Sequence, residues 1–208
     1  MQAKLLPSTY FGPIDYFAHI VQSEKSIIEV EDNFQKQTYR NRCYIYGANG
    51  KLLLNVPVKH CKNENIRRKT NDTQIANEFD WQKLHWKSLG SAYRTSPYFE
   101  FYEDELRPLF EKKYKFLADL NMDTANLIQD IIQESWDLTK TTAYEESPSE
   151  ILDLRAEFNA KKDSAVITPN YTQVFSDKFG FIPNLSILDL IFMEGPNALN
   201  YLESISLK

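Results

Sequence analysis

The chain predicts an α/β (or α+β) fold, with a mixed sheet and a hairpin in the N-terminal third followed by a mainly helical C-terminal portion. Three observations carry that expectation. Short apolar and β-branched runs recur between residues 3 and 58. Helical spacing and helix-start residues take over from about residue 80. Apolar residues make up 42% of the 208 positions, enough to bury a core.

Taken in order, residues 3–10 (Ala-Lys-Leu-Leu-Pro-Ser-Thr-Tyr) form a short buried strand that runs into a turn. Gly12-Pro13 then opens a helix with Ile14, Phe17, Ile20 and Val21 on one face, because proline suits the first helical positions. Ser26–Val30 is a β-branched strand. Residues 42–58 predict a hairpin, with Arg42–Tyr46 turning at Gly47-Ala-Asn-Gly50 into an alternating run through Leu54, Val56 and Val58. A polar, basic loop covers 59–70, and 71–76 is assigned as one more strand. Asp80 is placed as the cap of a helix reaching Tyr93, and Ser96-Pro97 as the start of a second. Residues 115–136 carry Phe116, Leu120, Leu127, Ile131 and Ile132 at helical spacing. Ser147-Pro-Ser-Glu150 has the pattern of a capping box, predicting a helix or turn over 148–158, between loops at 140–146 and 159–169. Tyr171–Phe175 is assigned as a strand, and the last helix begins at Ser186–Phe192.

Composition narrows the chemistry. None of the six glycines forms a Gly-x-Gly pair, and no Gly-Lys-Ser/Thr occurs. Phosphate loops and dinucleotide turns need close glycines so that backbone can approach phosphate, so no such cofactor is expected. A net charge of −5 argues against general nucleic-acid binding. No apolar run approaches the roughly 18 residues of a membrane helix, and residues 1–12 hold no signal-peptide core. With two cysteines, Cys43 and Cys61, the expectation is a cytoplasmic protein with reduced thiols.

Several constellations have both a chemical and a structural use. Arg40 and Arg42 flank Asn41 and would clamp a carboxylate or phosphate, or serve as strand rungs with one arginine paired to an acid such as Asp32. His85, one turn after Trp81 and about two before Tyr93, suits proton transfer near neutrality or a packed core position. Lys59-His-Cys-Lys62 with Arg67-Arg-Lys69 is a basic patch that fits a phosphate or a solvated loop. His60 and Cys61 lack the further ligands that zinc requires, so no metal is expected, and Cys43 is most simply a buried small hydrophobe. A thiol or metal hydrolase built on Cys43, His60 or Cys61 is the weakest reading. Ser186 and Asp189 fit a capping box. Tyr10, Tyr16, Tyr93, Tyr98 and Tyr102 would stack on a sugar or fill the core. Glu103-Asp-Glu105 is a solvated helix face.

The segments Tyr10-Phe-Gly-Pro13-Ile-Asp-Tyr16-Phe17, Tyr39-Arg-Asn-Arg42-Cys-Tyr-Ile45, Leu54-Asn-Val-Pro-Val58, Trp81-x-x-x-His85-Trp86, Ala92-Tyr93, Ser96-Pro-Tyr-Phe99 and Gly180-Phe-Ile-Pro-Asn-Leu-Ser-Ile-Leu-Asp189 together resemble the WbqC-like protein family over nearly the whole chain. Many members carry Gln-Pro before the first tyrosine, whereas this chain has Leu5-Leu-Pro-Ser-Thr-Tyr10, which points to a different ligand if that glutamine binds one. The resemblance implies a single domain over 1–208, with 97–160 as a candidate helical subdomain. It also implies a link to bacterial surface-polysaccharide (O-antigen) gene clusters. A transferase would use His85 as base and Tyr10, Asn41, Arg42, Tyr93 and Tyr98 to hold an amino sugar or nucleotide sugar during acyl or aminoacyl transfer. A non-catalytic protein would use the same residues to bind the sugar precursor or a partner enzyme. The expected partner is a small molecule of the sugar class. Oligomeric state is left open.

Overall fold

The computed structural model describes residues 2–59 and 67–207. Its centre is a four-stranded parallel sheet in the order β5-β2-β1-β6. Strand β1 (Lys4–Pro7) is buried along its length, as expected for a strand flanked on both sides. It pairs with β2 (Ser26–Glu29) on one edge and with β6 (Leu152–Asp153) on the other. Strand β5 (Leu138–Lys140) extends the sheet beyond β2. The crossover between β1 and β2 is helix α1 (Ile14–Val21), which begins after Pro13 and buries Ile14, Phe17 and Ile20. A separate antiparallel hairpin joins β3 (Arg42–Gly47) to β4 (Gly50–Asn55). Gly47 pairs with Gly50, and Gly50 has φ 96°, a left-handed conformation that glycine adopts without steric cost.

Helices α2 (Trp81–Tyr93), α3 (Phe99–Glu111) and α4 (Leu117–Ile132) follow, then the short α5 (Ser176–Phe179). The last apolar run forms α6 (Ile187–Glu194), breaks through a 3-10 turn at Gly195–Asn197 and resumes as α7 (Ala198–Ser204). Aromatic rings fill much of the interior, among them Tyr10, Tyr16, Tyr46, Tyr93, Phe11, Phe17, Phe99 and Phe192. Buried tyrosines keep hydroxyl partners: Tyr16 donates to the Pro7 carbonyl (3.0 Å) and Tyr46 to that of Gly180 (2.7 Å). Among the described residues no helix is long and apolar enough to cross a membrane.

The mixed α/β class with a hairpin and a helix-rich second half is as the sequence predicts. Several elements differ in detail. Of the helix or turn expected over 148–158, the turn is present at 155–157, and β6 precedes it because β1 offers an open edge that two residues of pairing satisfy. Ser96 does not cap α3; its hydroxyl donates back to the Tyr93 carbonyl (2.6 Å), and the helix starts at Phe99. Residues 71–76 make only single bridges, Val58 with Ile75 and Gln74 with Phe116. Tyr171–Phe175 is irregular, since Tyr171 and Gln173 turn inward to one buried carboxylate.

Candidate functional site

Open parallel sheets usually hold ligands beyond the carboxyl ends of their strands. At that edge this protein spends its charges on itself. Glu29, the fully buried end of β2, accepts from the Thr141 hydroxyl (2.8 Å) and from Arg155 Nη1 (3.1 Å). Arg155 also forks onto Asp153 at 2.9 and 2.6 Å and donates to the carbonyls of Glu145 and Glu146. Arg40 is ion-paired with Asp32, whose other oxygen accepts from the Thr70 hydroxyl at 2.5 Å. Of the two arginines flanking Asn41, Arg40 is therefore the one paired with Asp32.

The loop leaving β1 is packed on all sides. Ser8, Thr9, Tyr10 and Phe11 are buried, and Phe11 takes φ 41°, a strained value for a bulky residue. A Cβ on Gly12 would lie 2.7 Å from Thr9 Oγ1, so only glycine fits that close approach. Asn121 Nδ2 bridges Ser8 Oγ and the Arg40 carbonyl, both at 2.9 Å, while Tyr10 N–H donates to the Tyr39 carbonyl (2.9 Å). This places the 39–42 segment against the loop.

Three of the sequence-selected residues meet there. The Tyr10 hydroxyl lies 3.0 Å from His85 Nδ1. A hydroxyl facing Nδ1 suits a neutral imidazole, which can accept there. Burial lowers the His85 pKa to about 4, against a smaller upward pull from Asn55. The edge of Trp81 closes one side of the ring at 5.2 Å. Asn41 reaches the same corner, donating through Nδ2 to Asn55 Oδ1 (3.1 Å) and to the Val56 carbonyl (2.9 Å). Arg42 sits opposite Asn55 in the hairpin register, half-buried, and its Nε has no partner among the described residues.

Tyr93 and Tyr98 lie elsewhere. Tyr93 accepts from the Tyr46 amide (2.9 Å) and donates to Asp189 Oδ1 (2.6 Å). The other Asp189 oxygen accepts from the Tyr171 hydroxyl and from Gln173 Nε2 (3.0 Å). Asp189 is completely buried with no cation beside it among the described residues, and burial raises its pKa against the pull of these donors. Ser186 is the cap of α6, accepting from Leu188 N–H (3.3 Å), but Asp189 is not its reciprocal partner. The spacing Tyr171-x-Gln173 was the signal for this network, and period-two alternation hid it as a strand. Tyr98 packs its ring on Gly195, where a Cβ would approach to 2.6 Å. Cys43 is buried, and its thiol is pushed up to about 12 by burial, which removes nucleophilic character at neutral pH. His60 and Cys61 lie outside the described residues. Among the described residues no cluster of three or more His, Cys, Asp or Glu side chains is arranged for a metal.

Neither of two open cavities, of about 180 and about 320 Å³, is lined by any of the six selected residues.

A model of the WbqC-like protein family matches residues 7–164. An uncharacterized protein of Mycobacterium tuberculosis (strain ATCC 25618 / H37Rv) is 26% identical over 234 aligned residues, covering 95% of this chain and 96% of that protein. At that coverage the likeness extends past residue 164 into the stretch that carries Asp189. No solved structure matches.

Proposed function

The chain belongs to the WbqC-like protein family, and on that footing we propose that it is a non-catalytic, cytoplasmic protein of bacterial surface-polysaccharide biosynthesis that binds a sugar precursor. The observation that carries this reading is the enclosure of His85, whose Nδ1 meets the Tyr10 hydroxyl at 3.0 Å, whose ring is only 5% exposed and whose pKa burial lowers to about 4. A general base needs a free lone pair and a pKa near the working pH. Tyr10, Asn41 and His85 are better suited to joining the β1 loop, the hairpin and α2 into one scaffold. Arg42 is the one cation among the selected residues and is half-buried, so it is the one to hold an anionic group of the precursor. The sugar class and the polysaccharide setting follow from the family resemblance alone.

The test is calorimetric titration with nucleotide-linked amino sugars, beside long incubations with acyl and aminoacyl donors read by mass spectrometry. Saturable binding that survives His85→Gln and falls in Arg42→Ala, with no new product, is the expected result. Product formed by the native protein and lost in His85→Gln would restore the transferase with His85 as its base. Tyr10→Phe guards against a folding artefact, because it frees Nδ1 while keeping the ring buried, and under the transferase reading it should retain turnover.

A further inference from the structure

We propose that the cavity of about 180 Å³ beyond the end of β4 is a binding site for a phosphate group, distinct from the corner around His85 and Arg42. Three chain segments build it, and each is tied to its neighbour. Lys59 N–H donates to the Gln74 carbonyl (2.9 Å), Ile75 N–H to that of Lys115 (3.0 Å), and Asn77 Nδ2 to that of Tyr114 (2.8 Å). The buried side chains of Ile75 and Tyr114 anchor the two inner segments. The walls are therefore held by the fold, whether or not a ligand is present.

The charge of the lining sets it apart from the rest of the molecule. The protein carries a net charge of −5, yet the charged residues lining this cavity are Lys59, Lys113 and Lys115, with no carboxylate among the described lining residues. Lys113 and Lys115 flank the buried Tyr114, and both are exposed. Lys112, one residue earlier, behaves differently: it is paired with Asp123 at 2.8 Å. Among the described residues Lys59 donates to the neutral Gln74 side chain (3.4 Å), and Lys115 lies over the Phe116 ring at 5.0 Å. Gathering like charges in a concavity has an electrostatic cost that a bound anion removes. Three ammonium groups with the amides of Gln74 and Asn77 supply donors on several sides, which suits a phosphoryl group better than a planar carboxylate. The phosphate could belong to a soluble phosphoester or diphosphate, or to a lipid headgroup. The inference stands independently of the sugar-precursor reading.

The experiment is a titration with inorganic pyrophosphate at low salt, run on the native protein, on Lys113→Gln and Lys115→Gln, and on their combination. These side chains are exposed, so the variants should fold. The expected result is saturable binding weakened about tenfold by each substitution, the loss of one charge-assisted hydrogen bond. The precursor reading is tested separately, by sugar binding in Arg42→Ala, so failure of this site and failure of that reading are distinguishable. A second arm uses phosphatidylcholine vesicles with and without phosphatidate. Co-sedimentation that needs both phosphatidate and the two lysines assigns the phosphate to a lipid, and its absence assigns it to a soluble ligand. No pyrophosphate binding, or an equal loss on changing a remote lysine such as Lys87, overturns the proposal.

Discussion

His85 and Asp189 are both buried ionisable groups served by helix α2, the first directly and the second through Tyr93, and they solve burial in opposite ways. His85 becomes neutral: burial lowers its pKa to about 4, and its Nδ1 is met by the Tyr10 hydroxyl. Asp189 is instead met by three donors, two tyrosine hydroxyls and the Gln173 amide. Burial raises its pKa, while Tyr171, Tyr93 and Gln173 pull against that rise. The difference shows what each site holds. Around His85 the network closes a joint between elements of regular structure. Around Asp189 it replaces regular structure: Gln173 also bonds both backbone groups of Ile182, and Tyr46 donates to the Phe175 and Gly180 carbonyls. The 171–182 segment, regular only over α5, thus hangs from one carboxylate and from Tyr46.

The sharpest way to break this comparison is Asp189→Ala. It leaves two tyrosine hydroxyls and an amide without their acceptor, and should cost about 3–5 kcal/mol in a denaturant titration. Early proteolysis within 171–182 should accompany it. If Asp189→Ala costs no more than Tyr10→Phe, the carboxylate is not what holds the segment.

The pH dependence should separate the two groups by sign. His85 has a folded pKa below its ordinary 6.5, so its contribution is complete above pH 6.5 and is lost as pH falls through about 4. That loss is about 3 kcal/mol. The Asp189 carboxyl is raised, so its share runs the other way: stability is greatest below pH 3.8 and declines as pH rises through the raised value. His19 is also lowered to about 4, by burial and by Lys4, and adds to the acid loss in the native protein. Unfolding curves for native protein and His85→Gln between pH 7 and pH 4 should therefore converge as pH falls. Parallel curves would mean that the imidazole is not kept neutral.

The smallest effect is expected from Tyr10→Phe. It removes one hydrogen bond and leaves Nδ1 unsatisfied beside an unchanged ring, for about 1–2 kcal/mol. An accompanying rise in the His85 pKa, followed by NMR titration of the ring protons, would show that water has reached the joint.

Much of this architecture was legible locally. The β1 strand, the proline-led start of α1, the Gly47–Gly50 turn and the extent of α2 each rest on signals that neighbouring residues supply. Strands β5 and β6 were not legible. They run three and two residues, too short to show a period, and exist because β2 and β1 offer unpaired edges. Among the candidate residues, the meeting of Tyr10 with His85 crosses 75 positions and that of Tyr93 with Asp189 crosses 96. No local pattern encodes such pairings. Ser186 shows both limits at once: its capping role was readable, while its bond to the Phe11 carbonyl was not.

The sequence by itself determined the class of fold, the family and the absence of a glycine-rich phosphate loop, since these depend on residue type and short spacing. Tertiary structure alone decided that His85 is enclosed and neutral, that Asp189 carries an irregular segment, and that Lys59 meets Lys113 and Lys115 across one cavity. The physical reason is that solvation and hydrogen-bond completion belong to the neighbours a side chain meets in space, and those neighbours come from distant parts of the chain.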